Sequence, residues 1–149
     1  MRRSRSVLKR AVSRVRSELR AQGSVAGSER TRALVLHGWR SNARVSQIHC
    51  NRLRAARRFD KAHCVCGTEE APEAAMEAME YLIDGPWYSW VDDAHGSLSQ
   101  SEDERAEKLL LALRAVVRFV REHGPYDCAV GFSQGGAIVS LLSRYRQLR

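Results

Sequence analysis

Val130-Gly131-Phe132-Ser133-Gln134-Gly135-Gly136 sits between a run of small and apolar residues that starts near Tyr126 and a stretch where Ala137, Ile138, Leu141 and Leu142 recur at helical spacing. A strand over Tyr126 to Phe132, an abrupt turn and a helix are predicted in that order, with Ser133 on the turn. Gly131-Phe132-Ser133-Gln134-Gly135 has the G-x-S-x-G pattern of a nucleophile elbow, and a strand-to-helix junction is where that pattern has physical meaning. A serine on so tight a bend must adopt strained main-chain angles, and Gly131 and Gly135 remove the β-carbons that would meet neighbouring backbone. The Ser133 hydroxyl is pushed out above the sheet as a candidate nucleophile. Gln134 opens the helix, so its main-chain N–H points to where an oxyanion would form, at the positive end of the helix dipole. The competing reading is a Gly/Ser-rich connection without chemistry, or a phosphate cradle. Phosphate loops want a Lys or a longer glycine pattern.

Upstream of this junction, Glu102 to His123 reads as one long helix. Leu109, Leu110, Leu113, Val116, Val117 and Val120 form its apolar face, and Gly124-Pro125 ends it. Further upstream, Ala33-Leu34-Val35-Leu36 is a continuous apolar run closed by His37-Gly38, as expected of a buried strand. A helix is predicted from about Val45 to Phe59, with Ile48, Leu53 and Ala56 facing inward, and a second short strand over Ala62 to Cys66. Pro72 can open another helix through Ala74, Ala75, Met76, Ala78, Met79 and Leu82, although this acidic region reads equally well as an irregular insertion. Short apolar runs alternating with helical patterns indicate an α/β fold, a mostly parallel sheet covered by helices on both faces.

The turn after the first strand supplies a second chemical element. In His37-Gly38-Trp39 the Trp39 N–H is the candidate second oxyanion donor, and Gly38 lets the backbone approach a substrate closely. His37 reads as a structural hydrogen-bonding residue rather than a catalytic base.

Charge divides the chain. Residues 1–30 hold nine Lys and Arg against Glu18 and Glu29, a net +7, whereas the other 119 residues carry sixteen basic and fifteen acidic side chains. The folded body thus has no overall reason to seek a polyanion, and the basic segment lacks the interleaved aromatics of a nucleic-acid module. An acid-rich stretch runs from Glu69 to Glu107, near a basic group that includes Arg40, Arg44, Arg52, Arg54, Arg57, Arg58 and Lys61; solvated faces of opposite sign account for both. Leu8, Val12, Val15 and Leu19 recur at helical spacing among the arginines and serines of the first twenty residues. That makes a basic amphipathic segment, with the composition either of a mitochondrial or plastid import signal or of a solvated helix leading into the domain. Gln22 to Ser28 is a small-residue linker. The expected organisation is an extension over residues 1–30 and a domain over 31–149. Cys50, Cys64, Cys66 and Cys128 match neither a disulfide framework nor a zinc site and read as reduced thiols, so a cytoplasmic setting is expected alongside the import alternative. No metal site and no membrane span is predicted.

Leu34-Val35-Leu36-His37-Gly38-Trp39-Arg40-Ser41-Asn42, Trp87-Tyr88-Ser89-Trp90, and Gly124-Pro125-Tyr126-Asp127 leading into Val130 to Gly136 together resemble the FSH family of serine hydrolases, over residues 32 to 145. The resemblance implies an α/β-hydrolase-like three-layer sandwich and an enzyme without cofactor. It would cleave a small-molecule carboxylic ester or thioester with a Ser, Asp, His triad. Ser133 then matches the nucleophile and Gln134 with the His37-Gly38-Trp39 loop the oxyanion region. His37, Gly38, Trp87 and Trp90 would border the substrate pocket, although plain packing explains the tryptophans as readily.

One departure stands out. In this fold the acid and the histidine follow the nucleophile, and residues 134–149 contain no Asp, Glu or His. The sheet is accordingly expected to be incomplete on its C-terminal side with an unpaired edge, and this chain to be a weak or inactive hydrolase. An acyl-protein thioesterase or carboxylesterase and a non-catalytic relic of the fold are the alternatives.

Overall fold

The computed structural model describes residues 31–55, 59–91 and 101–147. In chain order the elements are β1 (Arg32–Leu36), α1 (Ala43–Ala55), β2 (Lys61–Val65), β3 (Glu69–Ala71), α2 (Glu77–Glu80), β4 (Trp87–Ser89), α3 (Glu102–His123), β5 (Cys128–Gly131) and α4 (Gln134–Gln147). The basic segment, the linker and Ala56 lie outside the described residues.

An uninterrupted apolar run is stable in a strand only when both faces are covered, and β1 meets that condition by lying at the centre of the sheet. Its neighbours β2 and β5 are both parallel to it, in the order β2-β1-β5. Leu34 and Leu36 turn toward Ala112, Leu113 and Val116 of α3 and Ile138 of α4. Ala33 and Val35 turn the other way, toward Cys50 of α1 and Phe59, with Leu53 packed alongside. This alternation builds three layers, α1 on one face and α3 with α4 on the other. The expected α/β architecture is what the chain adopts, with β2 and β5 as the edges of the described sheet.

The long helix α3 occupies the predicted span because both ends are specified locally. Ser101 Oγ accepts from the Glu104 N–H at 3.2 Å while the Ser101 N–H donates to Glu104 Oε2 at 2.8 Å, a complete capping box. Asn42 does comparable work for α1, its Oδ1 accepting from the Val45 N–H at 3.1 Å. Its amide group also donates to the carbonyls of Asp84 and Pro86, at 3.3 and 3.2 Å.

Two local expectations are corrected. Ile48 is 52% exposed, since α1 aims Cys50 inward beside the expected Leu53. The helix expected after Pro72 shrinks to the four residues of α2. The rest of that span is irregular, the other reading it allowed, and on either side of it β3 and β4 form a separate antiparallel ribbon, pairing Glu69 with Ser89 and Ala71 with Trp87. Strands of three residues leave almost no periodicity to read, and Glu69-Glu70 carries little β-propensity. Val45, Ala74 and Trp87 form a small third core that fixes the ribbon to the start of α1.

Candidate active site

Ser133 is exposed on the two-residue turn, Phe132-Ser133, between β5 and α4, at the carboxyl end of the sheet. Its φ is 46°, in the left-handed region that costs a residue with a β-carbon about 1 kcal/mol or more. What enforces this angle is the closeness of the flanking backbone. A β-carbon built on Gly135 would stand 2.5 Å from the carbonyl oxygens of both Leu36 and His37, and one on Gly131 would overlap the Gly135 carbonyl. The start of α4 is thus pressed against the end of β1, and Ser133 is left projecting. A β-carbon on Gly38 would lie 3.4 Å from Cβ of Ser133, so the turn after β1 borders the serine directly.

The main-chain N–H groups of Trp39 and Gln134 find no acceptor among the described residues. Gln134 is the first residue of α4, whose axial dipole adds partial positive charge beside Ser133. Arg40, the residue after Trp39, also has a positive φ, 43°. Several contacts hold that strained turn in place. The Arg40 N–H donates to Ser89 Oγ at 3.3 Å, its carbonyl accepts from the Ala75 N–H at 2.9 Å, and Ser41 and Tyr88 exchange main-chain bonds of 3.0 and 2.8 Å. The buried Arg40 guanidinium pairs with Glu73 and lies 4.5 Å from the Trp39 ring centroid. The β3–β4 ribbon therefore acts as a brace for the loop that carries Trp39.

His37 is fully buried, with both ring nitrogens engaged by main chain. Nε2 accepts from the Gly67 N–H at 2.7 Å, which leaves Nδ1 as the donor to the Gly38 carbonyl at 2.6 Å. Burial drives its pKa below the usual histidine value, against an opposing pull from the Gly38 bond, and so favours the neutral ring. Trp90 lies against this ring at 5.3 Å between centroids, and its indole N–H donates to the His37 carbonyl at 2.8 Å.

The Gln134 side chain closes the network. Its Nε2 donates to the Val91 carbonyl at 2.6 Å and its Oε1 accepts from the Trp90 N–H at 3.1 Å. One residue thus presents its main-chain N–H beside Ser133 while its amide group ties down the end of β4. The tie escaped the sequence because it needs two segments 43 and 44 residues apart to be adjacent.

The expected pocket residues separate into two groups. Gly38 borders Ser133, but Trp87 and Trp90 are only 6% and 0% exposed, and the His37 side chain faces inward. Among the described residues these three side chains pack and brace, the alternative already open for the tryptophans. Aromatic residues before a long helix can serve either purpose, and here both indoles have close-packed neighbours.

None of the described histidines hydrogen-bonds to Ser133. His49 rests on the Phe132 ring at 4.6 Å, His63 Nδ1 is 2.7 Å from the Tyr126 hydroxyl, and His123 packs on Phe119. Among the described residues no group of three or more His, Cys, Asp or Glu could hold a metal ion, and no helix is long and apolar enough to cross a membrane.

Comparison with known proteins agrees with this geometry. An esterase of Gibberella moniliformis, FUS5, is 29% identical over 117 residues, which is 76% of this chain and 48% of that protein. The Fusarium mangiferae esterase FPY3 is 27% identical over 114 residues, 74% of this chain and 47% of its own length. A Caenorhabditis elegans esterase is 37% identical over 62 residues, covering 42% of this chain and 28% of the relative. The chain therefore spans about half or less of the curated relatives it matches. No solved structure gives a significant match. The family profile described as Serine hydrolase (FSH1) matches residues 6–148, nearly the whole sequence, and the chain belongs to that family.

Proposed function

We propose that this chain carries the nucleophile and oxyanion half of a carboxylic ester or thioester hydrolase. Ser133 is the group that would form the acyl-enzyme. What supports this reading is an exposed serine at φ 46°, followed directly by Gln134 and bordered by Gly38, with the main-chain N–H groups of Gln134 and of Trp39, the residue after Gly38, lacking acceptors among the described residues. Attack of Ser133 Oγ on the acyl carbon would form the C–O bond and move negative charge onto the carbonyl oxygen. The two N–H donors and the amino end of α4 would stabilise that charge without reorganising. Collapse of the intermediate would expel the alcohol or thiol and leave an ester on Ser133, which water would then cleave. Small-molecule esters or thioesters are the proposed substrates.

Both steps need a base to take the hydroxyl proton and return it to the leaving group. Residues 134–149 supply no Asp, Glu or His, and the ring nitrogens of His37 are committed to backbone. The described residues therefore show no group in place to do this. The test is chemical rescue with added imidazole during hydrolysis of a short activated acyl ester. Imidazole should accelerate turnover by the chain and not by Ser133→Ala; equal acceleration of both would overturn the proposal. Comparing short acyl esters with a palmitoylated peptide under rescue would separate a general esterase from an acyl-protein thioesterase. A non-catalytic relic of the fold predicts no rescue with either substrate.

A further inference from the structure

The excursion between β3 and β4 leaves a surface that the rest of the described fold does not cover. Met76, Tyr81 and Leu82 are 62%, 81% and 83% exposed, three of the five large apolar side chains that stand out in solvent among the described residues, and they fall within seven residues of one another. A grouping of this kind around a short helix marks a docking surface more often than an accident of packing. The same excursion is uniformly acidic. Residues 69–86 contain Glu69, Glu70, Glu73, Glu77, Glu80 and Asp84 and no Lys or Arg. Lys108, Arg40 and Arg44 pair with Glu69, Glu73 and Asp84. No ion pair among the described residues reaches Glu70, Glu77 or Glu80. Glu80 accepts from the Ala74 N–H at 2.7 Å and Glu77 from the Tyr81 hydroxyl at 3.4 Å, bonds that leave their charge in place, so these exposed apolar side chains stand among carboxylates without an ion-pair partner among the described residues.

We propose that residues 7–20 of this same chain dock on that face. Their sequence is the complement of it: Leu8, Val12, Val15 and Leu19 repeat on one helical face, and Lys9, Arg10, Arg14, Arg16 and Arg20 surround them with Glu18 as the single acid. The connection is long enough. From Ala21 to Arg30 the chain can extend about 33 Å, while β1, which separates Thr31 from the loop at Arg40, rises only about 17 Å. The docked segment would lie against the excursion that braces the Trp39 loop through the Arg40–Glu73 pair and the Ala75-to-Arg40 bond. The inference is independent of catalysis by Ser133.

Zero-length carbodiimide cross-linking of the full chain, followed by peptide mass spectrometry, tests this. Lys9 is the single lysine in residues 1–30, so its links identify the docking face. Intrachain links from Lys9 to Glu70, Glu77 or Glu80 are expected. Replacing the exposed Tyr81 and Leu82 by Ser should cut their yield about tenfold, as should Ser at Leu8, Val12, Val15 and Leu19. Their yield should also fall as salt shortens the screening length from about 10 Å at 0.1 M to about 3 Å at 1 M. Because Tyr81 and Leu82 lie outside the cores, circular dichroism of that variant should match the parent. Links from Lys9 scattered over Glu102, Glu107 or Glu122, links only between copies, or no Lys9 links at all would each overturn the proposal.

Discussion

Gly38 and Ser133 face each other across the carboxyl end of the sheet, so closely that a β-carbon on Gly38 would stand 3.4 Å from the Ser133 β-carbon. This approach joins the turn after the central strand to the turn before α4, so the segment that carries Trp39 begins beside the residue that precedes Gln134. The close backbone around Gly131 and Gly135 and the contacts made by Arg40 hold the two turns in this arrangement against the strain at Ser133 and Arg40, with φ of 46° and 43°.

Releasing the strain at the serine should stabilise the protein. Ser133→Gly removes a left-handed penalty of about 1 kcal/mol or more, partly offset by about 0.5 kcal/mol of added freedom in the unfolded chain. A small rise in the urea midpoint is expected, together with complete loss of any rescued hydrolysis. A lower midpoint would mean that Ser133 is not held in a costly conformation.

Gly135→Ala should act in the opposite direction. Its β-carbon meets two carbonyl oxygens of the central strand and the following turn at 2.5 Å, and backbone atoms there cannot retreat without parting α4 from β1. A loss of about 3 kcal/mol is expected in equilibrium unfolding, at the upper end for added core atoms. A change under about 0.5 kcal/mol, the scale of an ordinary surface substitution, would contradict that packing.

The Gln134 clasp has a separate signature. Gln134→Ala removes both partners of the Trp90 N–H and Val91 carbonyl bonds and should cost about 1–3 kcal/mol. Gln134→Glu keeps the acceptor for Trp90 but sets a carboxylate oxygen against the Val91 carbonyl. At neutral pH it should be no more stable than the alanine variant and should recover as acid protonates it. Unfolding curves at two pH values check this, and pH-independent, wild-type-like stability of Gln134→Glu would refute it.

Much of this arrangement could be read from residue order. The continuous run Ala33 to Leu36 demanded a strand covered on both faces, and Ser101 with Glu104 and Gly124-Pro125 bounded α3 from both ends. What stayed hidden depended on contacts between distant segments. Nothing local marks Trp90 as the partner of the His37 carbonyl, and a three-residue ribbon strand is too short for its alternation to register. Ile48 misled because a 13-residue helix can satisfy its neighbours with either of two overlapping apolar stripes, and Cys50 with Leu53 won.

His37 should couple stability to acid. Its pKa in the folded protein lies below the ordinary 6.5, with burial as the main cause, so the neutral ring contributes stability that is complete above that value. The contribution is lost as pH falls from about 6.5 toward the depressed folded value, because a proton on Nε2 would confront the Gly67 N–H. His63, also lowered by burial and by the neighbouring charges of Lys61, Arg32 and His123, acts in the same direction. Thermal unfolding between pH 7.5 and 5 should show a decline that is reduced in His37→Gln. An equal decline in both proteins would assign the effect elsewhere.

Site-resolved modification by a fluorophosphonate probe tests the central assignment most directly, since exposed Ser143 provides an internal reference on the same helix that begins beside Ser133. Phosphonylation develops charge on an oxygen that the Gln134 and Trp39 donors would face. Even without a base, Ser133 should therefore react about 10²-fold faster than Ser143, with the adduct absent from Ser133→Ala. Equal slow modification of the two serines, or a dominant adduct on any other residue, would contradict the assignment of Ser133 as the nucleophile.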